Sequence, residues 1–257
     1  MAGFETKPRL GSRLPGCSEV EWLARVDLAA CYRLADMQGM SKVIWNHITA
    51  RVPGEPDNLL VFRFGCRYDE VTASSLVKMS LDGRLLSEDA GDLNTAAAVI
   101  HSGFYRARTD IMCVMHCHTR AGQGVAALKD GLLLLTQESM LLHDDVAYHE
   151  YEGISDDEAE CDRLASDLGP MHQMIMRNHG LITVGKSVGE AFWRMFHLDM
   201  ACKVQMDVLA TGRDFVQQPP AVCAKVRQQY LADFFPGLHE WPALLRKLDK
   251  IAPDYAT

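Results

Sequence analysis

The stretch Ile111-Met112-Cys113-Val114-Met115-His116-Cys117-His118-Thr119 is a short apolar run that ends in two histidines separated by one residue. In a β-strand, side chains at i and i+2 share a face. His116 and His118 then project together from the end of a buried strand, and Cys117 turns the other way into the core. Two imidazoles on one face are half of a metal site. A second apolar run, Met174-Ile175-Met176-Arg177-Asn178-His179-Gly180, carries a further histidine at its end. Three histidines on two strand ends can hold a divalent metal and leave a position open for water or substrate. That open position separates a catalytic site from a closed structural one. The plainer alternative is that each histidine is a structural hydrogen-bonder.

The chain has 257 residues, 48% of them hydrophobic, which is ample for one large α/β domain with an appendage. Its net charge is −8. An acidic chain with no basic block argues against nucleic acid or an anionic membrane as partner. No apolar run reaches the roughly 18 residues of a membrane span, and residues 1–17 lack the apolar centre of a signal peptide. The eight cysteines form no CxxC pair, and several lie in apolar patterns. They read as reduced core residues of a cytoplasmic protein.

Outward from the histidine strand, residues 1–17 read as an extended arm broken by Pro8, Gly11, Pro15 and Gly16. Ser18 with Glu21 predicts a capping box and a helix ending near Gly39, with Leu23, Val26, Ala30, Leu34 and Met37 on its apolar face. Val43–Val52 and Leu59–Phe64 are expected to pair as a hairpin. Val77–Leu81 predicts a third strand, turned by Asp82-Gly83 into a partner at 84–86. Helices are expected over 94–106, 120–128 and 156–168, and a strand over 146–151. The apolar segment 131–140 fits strand or helix. After 181–184, a helix over 188–210 is apolar on nearly two faces, which suits burial against another subunit. Domain boundaries fall at 1–17 (arm), 18–212 (metal-binding domain) and 213–257 (helical extension).

In this order, Asn46-His47-Ile48-Thr49-Ala50-Arg51-Val52-Pro53-Gly54, Val71–Val77, His116-Cys117-His118-Thr119, His149-Glu150-Tyr151-Glu152-Gly153 and Arg177–Gly185 resemble the class II aldolase/adducin domain, in its adducin-like branch. The resemblance runs from about Asp27 to Ala210. It implies an α/β fold of three layers, α/β/α, with a central mixed, mainly antiparallel sheet. It implies a divalent metal, usually zinc, on His116, His118 and His179, and a homo-oligomer, commonly a tetramer, with sites at subunit interfaces. Sugar-phosphate aldolases of this kind carry a glutamate four residues before a helical histidine. Here the histidine is His101 and Ala97 stands at the glutamate's place. Phe62, Arg63 and Phe64 likewise replace the small hydroxyl residues that cradle a phosphate.

These departures point to a lyase, aldolase or decarboxylase in type, that acts on a non-phosphorylated keto or hydroxy acid. Asn46, Arg63 and Phe64 are then candidates for substrate binding, with Arg63 able to clamp a carboxylate bidentately and Phe62 and Phe64 as apolar walls. His47, His149 and Tyr151 are candidates for the acid/base group. Two other classes stand beside this one. An Fe(II)-dependent oxidative decarboxylase would use the same three histidines. An adducin-like binding module would need no chemistry.

Overall fold

In the computed structural model, residues 13–87, 95–153 and 158–257 are described, with the side chains of 95–99 and 158 excepted. The expected arm therefore lies mostly outside the described residues. Ser18 caps the first helix, α1 (Glu19–Met37), by accepting from the Glu21 backbone N–H at 3.2 Å. The reciprocal half of the capping box is replaced, because the Glu21 carboxylate turns to Arg25 and Lys78 instead. Val26, Ala30 and Leu34 are buried as expected, but Leu23 and Met37 are exposed. Gly39 ends the helix at a left-handed φ of 70°, a conformation that glycine adopts without strain.

The hairpin forms from β1 (His47–Val52) and β2 (Glu55–Val61) around Pro53-Gly54. It begins later than expected, because Val43 takes a left-handed φ of 53° and Trp45 is exposed. β3 (Val77–Ser80) pairs with β2, but the strand expected after Asp82-Gly83 shrinks to a single bridge between Met79 and Leu85. The middle of the chain gives α2 (Thr95–Ala107), β4 (Cys113–Cys117), α3 (Arg120–Ala126), α4 (Gln137–Met140), β5 (Val146–His149) and α5 (Glu158–Leu168). The ambiguous segment 131–140 is thus mostly irregular, ending in one helical turn. Then come β6 (Gln173–Met176), β7 (Gly180–Gly185), α6 (Val188–Ala210), α7 (Pro220–Asp233) and α8 (Glu240–Ile251).

The seven strands make one sheet in the order β3-β2-β1-β4-β7-β6-β5. Every neighbouring pair is antiparallel except β5 with β6. Helices α2 and α5 pack together over one face, while α1, α3, α6 and α8 cover the other. The fold is therefore the expected three-layer α/β/α arrangement. Alternation along β1 decides what each face receives. His47, Thr49 and Arg51 all bond to groups of α2, whereas Ile48, Ala50 and Val52 pack into the apolar core. Because both faces are covered, β1 is buried at all six positions and shows no polar side to solvent.

The C-terminal helices close the second layer. Leu245 and Leu248 of α8 join the core, and Trp241 donates from Nε1 to Asp27 of α1 at 3.2 Å. Arg227 of α7 reaches the buried carboxylate of Asp145, which Arg194 of α6 and His172 also hold.

Candidate metal centre

β4 delivers His116 and His118 from one face, as their spacing predicts. His179 arrives differently. β6 stops at Met176, and His179 sits in the turn to β7 rather than at a strand end. Its backbone N–H bonds to the Met176 carbonyl at 3.1 Å, while Asn178 adopts a left-handed φ of 57° and bonds to the Ala126 carbonyl. Asparagine tolerates that conformation better than most residues. Gly180 then lets the turn approach β4. A Cβ at Gly180 would lie 2.7 Å from the Cys117 carbonyl oxygen and 2.8 Å from Cδ2 of His118.

One ring nitrogen from each of His116, His118 and His179 lies within 4.8 Å of the others. Among the described residues, no other set of three histidine, cysteine or acidic groups converges in this way. His116 Nδ1 donates to the Leu181 carbonyl at 3.0 Å, which leaves Nε2 as the lone pair facing the site. His116 Nε2 and His118 Nε2 are 2.7 Å apart. Burial, followed by the neighbouring histidines, holds His116 well below the usual imidazole range. Burial also pushes His118 down to about 4 and lowers His179. All three rings are thus neutral donors at neutral pH. A neutral all-imidazole set fits a divalent transition metal such as Zn²⁺.

His47 is fully buried beside this cluster, its ring centroid 5.0 Å from that of His116. Its Nδ1 meets Nε2 of His101 at 2.9 Å, and His101 Nδ1 meets the Thr49 hydroxyl at 2.7 Å. Tyr105 completes the chain through its contact with Thr49 at 2.9 Å. Sequence reading passed over Thr49 and Tyr105 and used His101 only as a landmark. These residues are brought together by β1–α2 packing across 52 to 56 positions, and no short pattern announces that.

The remaining candidates are more scattered. Asn46 is buried and committed internally: Nδ2 donates to the Met40 carbonyl and Oδ1 accepts from the His118 backbone at 3.2 Å. It braces the backbone at His118. His149 is buried with Nδ1 on Asp167 at 2.7 Å, and its Nε2 stands 3.7 Å from Glu160 and 3.8 Å from Glu152. It faces Asp167 and Glu160 of α5 and Glu152 ahead of that helix rather than joining the triad. Tyr151 is 55% exposed. Arg63 is exposed and Phe64 half-buried with its ring 6.0 Å from that of Trp45. Phe62 does not line a site, since it packs between Tyr32 and Tyr68 in the core. Ala97 falls in α2, and its side chain lies outside the described residues.

The family model described as "Class II Aldolase and Adducin N-terminal domain" matches residues 26–206, which include the three histidines. The crystal structure of an aldolase II superfamily protein from Pseudomonas syringae is 42% identical, with a TM-score of 0.90 over 94% of this chain and 98% of that one. Alpha-adducin of Mus musculus is 47% identical over 195 residues, which make up 75% of this chain and 26% of adducin. L-fuculose 1-phosphate aldolase from Glaciozyma antarctica PI12 has a TM-score of 0.81 over 96% of this chain and 97% of its own, at 21% identity, and so shares the fold. The chain belongs to the class II aldolase and adducin N-terminal domain family.

Proposed function

We propose that the protein is a metal-dependent carbon–carbon lyase, of aldolase or decarboxylase type, that acts on a non-phosphorylated keto or hydroxy acid. The convergence of three neutral imidazoles within 4.8 Å carries this reading. His116, His118 and His179 would hold the ion, Zn²⁺ by preference and Fe²⁺ as the alternative. A divalent ion bound there supplies Lewis acidity towards a ligand oxygen, as enolate chemistry requires. The protein's own contribution is preorganisation. The Leu181 carbonyl fixes the His116 tautomer, Asn46 fixes the backbone at His118, and the Asn178 turn seats His179. Arg63 offers an exposed guanidinium for a carboxylate, and Phe64 beside it, its ring 6.0 Å from that of Trp45, is the candidate apolar wall. His47, His149 and Tyr151 are the acid/base candidates, with His47 the one in contact with the cluster.

A homotetramer with sites at subunit interfaces agrees with the exposed Tyr151 and Trp45. A cytoplasmic location agrees with eight free cysteines. Among the described residues, no helix is long and apolar enough to cross a membrane. The identity with alpha-adducin favours a second reading, a binding module without catalysis.

Elemental analysis of chelator-free protein beside H179A tests the proposal. About one zinc per chain in the wild type and none in the variant is expected, followed by turnover in a screen of keto and hydroxy acids. Iron in place of zinc redirects the screen to oxygen consumption. A folded wild type that takes up neither metal refutes the enzyme readings and leaves the binding module.

A further inference from the structure

We propose that Tyr105, Thr49 and His101 form a hydrogen-bond chain that fixes His47 as its Nδ1–H tautomer, so that Nε2 presents a lone pair beside the metal cluster. The inference rests on proton accounting. Four contacts connect the groups: Tyr105 Oη to the Thr49 carbonyl, Tyr105 Oη to Thr49 Oγ1, Thr49 Oγ1 to His101 Nδ1, and His101 Nε2 to His47 Nδ1. They span 2.7–2.9 Å, and each needs one proton. The four neutral groups own four such protons.

The Thr49 carbonyl can only accept, so the Tyr105 proton goes there. Thr49 must then donate to the Tyr105 oxygen, His101 Nδ1–H must donate to Thr49, and His47 Nδ1–H must donate to His101. Every contact is satisfied in this direction. In the reverse direction Thr49 gives its proton to His101, so the single Tyr105 proton must serve both Thr49 oxygens and one of those two contacts is lost. That leaves three bonds where four were available, among buried groups. Thr49 and His101 are accordingly positioning residues, acting on the site through His47.

The consequence concerns substrate class and builds on the proposed metal-dependent reading. An Nε2 lone pair accepts a hydrogen bond and cannot give one. Were an ion held by His116, His118 and His179, a hydroxyl oxygen of its ligand could donate to that lone pair, whereas a keto oxygen would bring a second lone pair. The site therefore favours a 2-hydroxy acid over the matching 2-keto acid.

Two measurements test this. Long-range ¹⁵N–¹H correlation spectra of histidine-labelled, zinc-free protein report the tautomer directly, with H47Q to assign the signal. The Nδ1–H pattern is expected for His47 in the wild type and in T49S, which keeps the hydroxyl. A mixed or reversed pattern is expected in T49V. An Nε2–H wild type, or a T49V spectrum identical to the wild type, overturns the assignment. Calorimetric titration of zinc-loaded protein with L-lactate and pyruvate tests the substrate class. Lactate is expected to bind roughly fivefold or more tightly, the value of about one hydrogen bond, and T49V should narrow the ratio. Equal affinities with the tautomer as assigned overturn the substrate-class inference. A protein that binds no zinc refutes the metal reading, while the zinc-free spectrum still decides the tautomer.

Discussion

Replacing Gly180 by alanine tests how closely the His179 turn is fitted to β4. The new Cβ would lie 2.8 Å from His118 Cδ2, 2.7 Å from the Cys117 carbonyl oxygen and 3.4 Å from His116 Cε1. Carbon atoms settle at about 3.5 Å or more, so the contact with His118 is short by roughly 0.7 Å. The Cys117 carbonyl belongs to a central strand, paired with Leu181 of β7, and cannot retreat cheaply. The strain must fall on the turn and on the His118 ring. Overpacking of this kind costs about 1–3 kcal/mol, which for a chain of this size lowers the melting temperature by roughly 2–12 °C. Metal geometry tolerates only about 0.2 Å, so zinc affinity should fall by roughly 10–100-fold. Competition against a chromophoric chelator, run beside thermal melts, reads both effects. G124A is the control, since its Cβ meets only the flexible end of Met206, at 3.1 Å. A G180A protein that melts with the wild type and binds zinc within twofold of it would refute the close-approach reasoning.

N46A should release the loop before β1 and the backbone at His118 together. It strands a buried N–H and carbonyl at a cost of about 1–3 kcal/mol, visible in urea melts and as weaker zinc binding. D145N removes the carboxylate shared by His172, Arg194 and Arg227, leaves Arg194 to Glu190 alone, and should cost about 1–3 kcal/mol in equilibrium unfolding. Acid should act through His118. Its folded pKa of about 4 lies below the unfolded value near 6.5, so the unfolded state binds the extra proton. The stability it contributes is complete above about pH 6.5 and is lost as pH falls through about 4. Zinc should dissociate in the same window, since ligands must be unprotonated. Flat melting temperatures and full zinc retention from pH 7 down to about 4.5 would contradict the neutral-imidazole assignment.

The periodic parts of this fold were readable because burial on both faces demands long apolar runs. The bounds of α6 and the register of His116 and His118 follow from that patterning alone. What escaped reading was set by single backbone choices. Val43 in a left-handed conformation delays β1 by four residues, and Asn178 does the same service for the His179 turn. Val43 has no local pattern that separates it from an ordinary strand residue, whereas asparagine at 178 is a residue type that favours this conformation. Asp82-Gly83 has the composition of a hairpin turn, yet the partner strand reduces to one bridge at Leu85. Phe62 looked like a wall beside Arg63 but points into the core with Tyr32. The polar chain from Tyr105 to His47 was invisible because its members meet only through the packing of α2 on the sheet.

The strand order has a mechanical corollary. Residues 47–117 build β3-β2-β1-β4, and residues 146–185 build β7-β6-β5. His116 and His118 belong to the first half of the sheet and His179 follows β6 in the second. An ion held by all three would be a rivet across the boundary between the two halves. Its grip follows mass action, and a hundredfold excess of free metal over the dissociation constant adds about 2.7 kcal/mol. The cohesion of the sheet's middle would then be set by the metal supply of the surroundings as well as by the chain's own contacts.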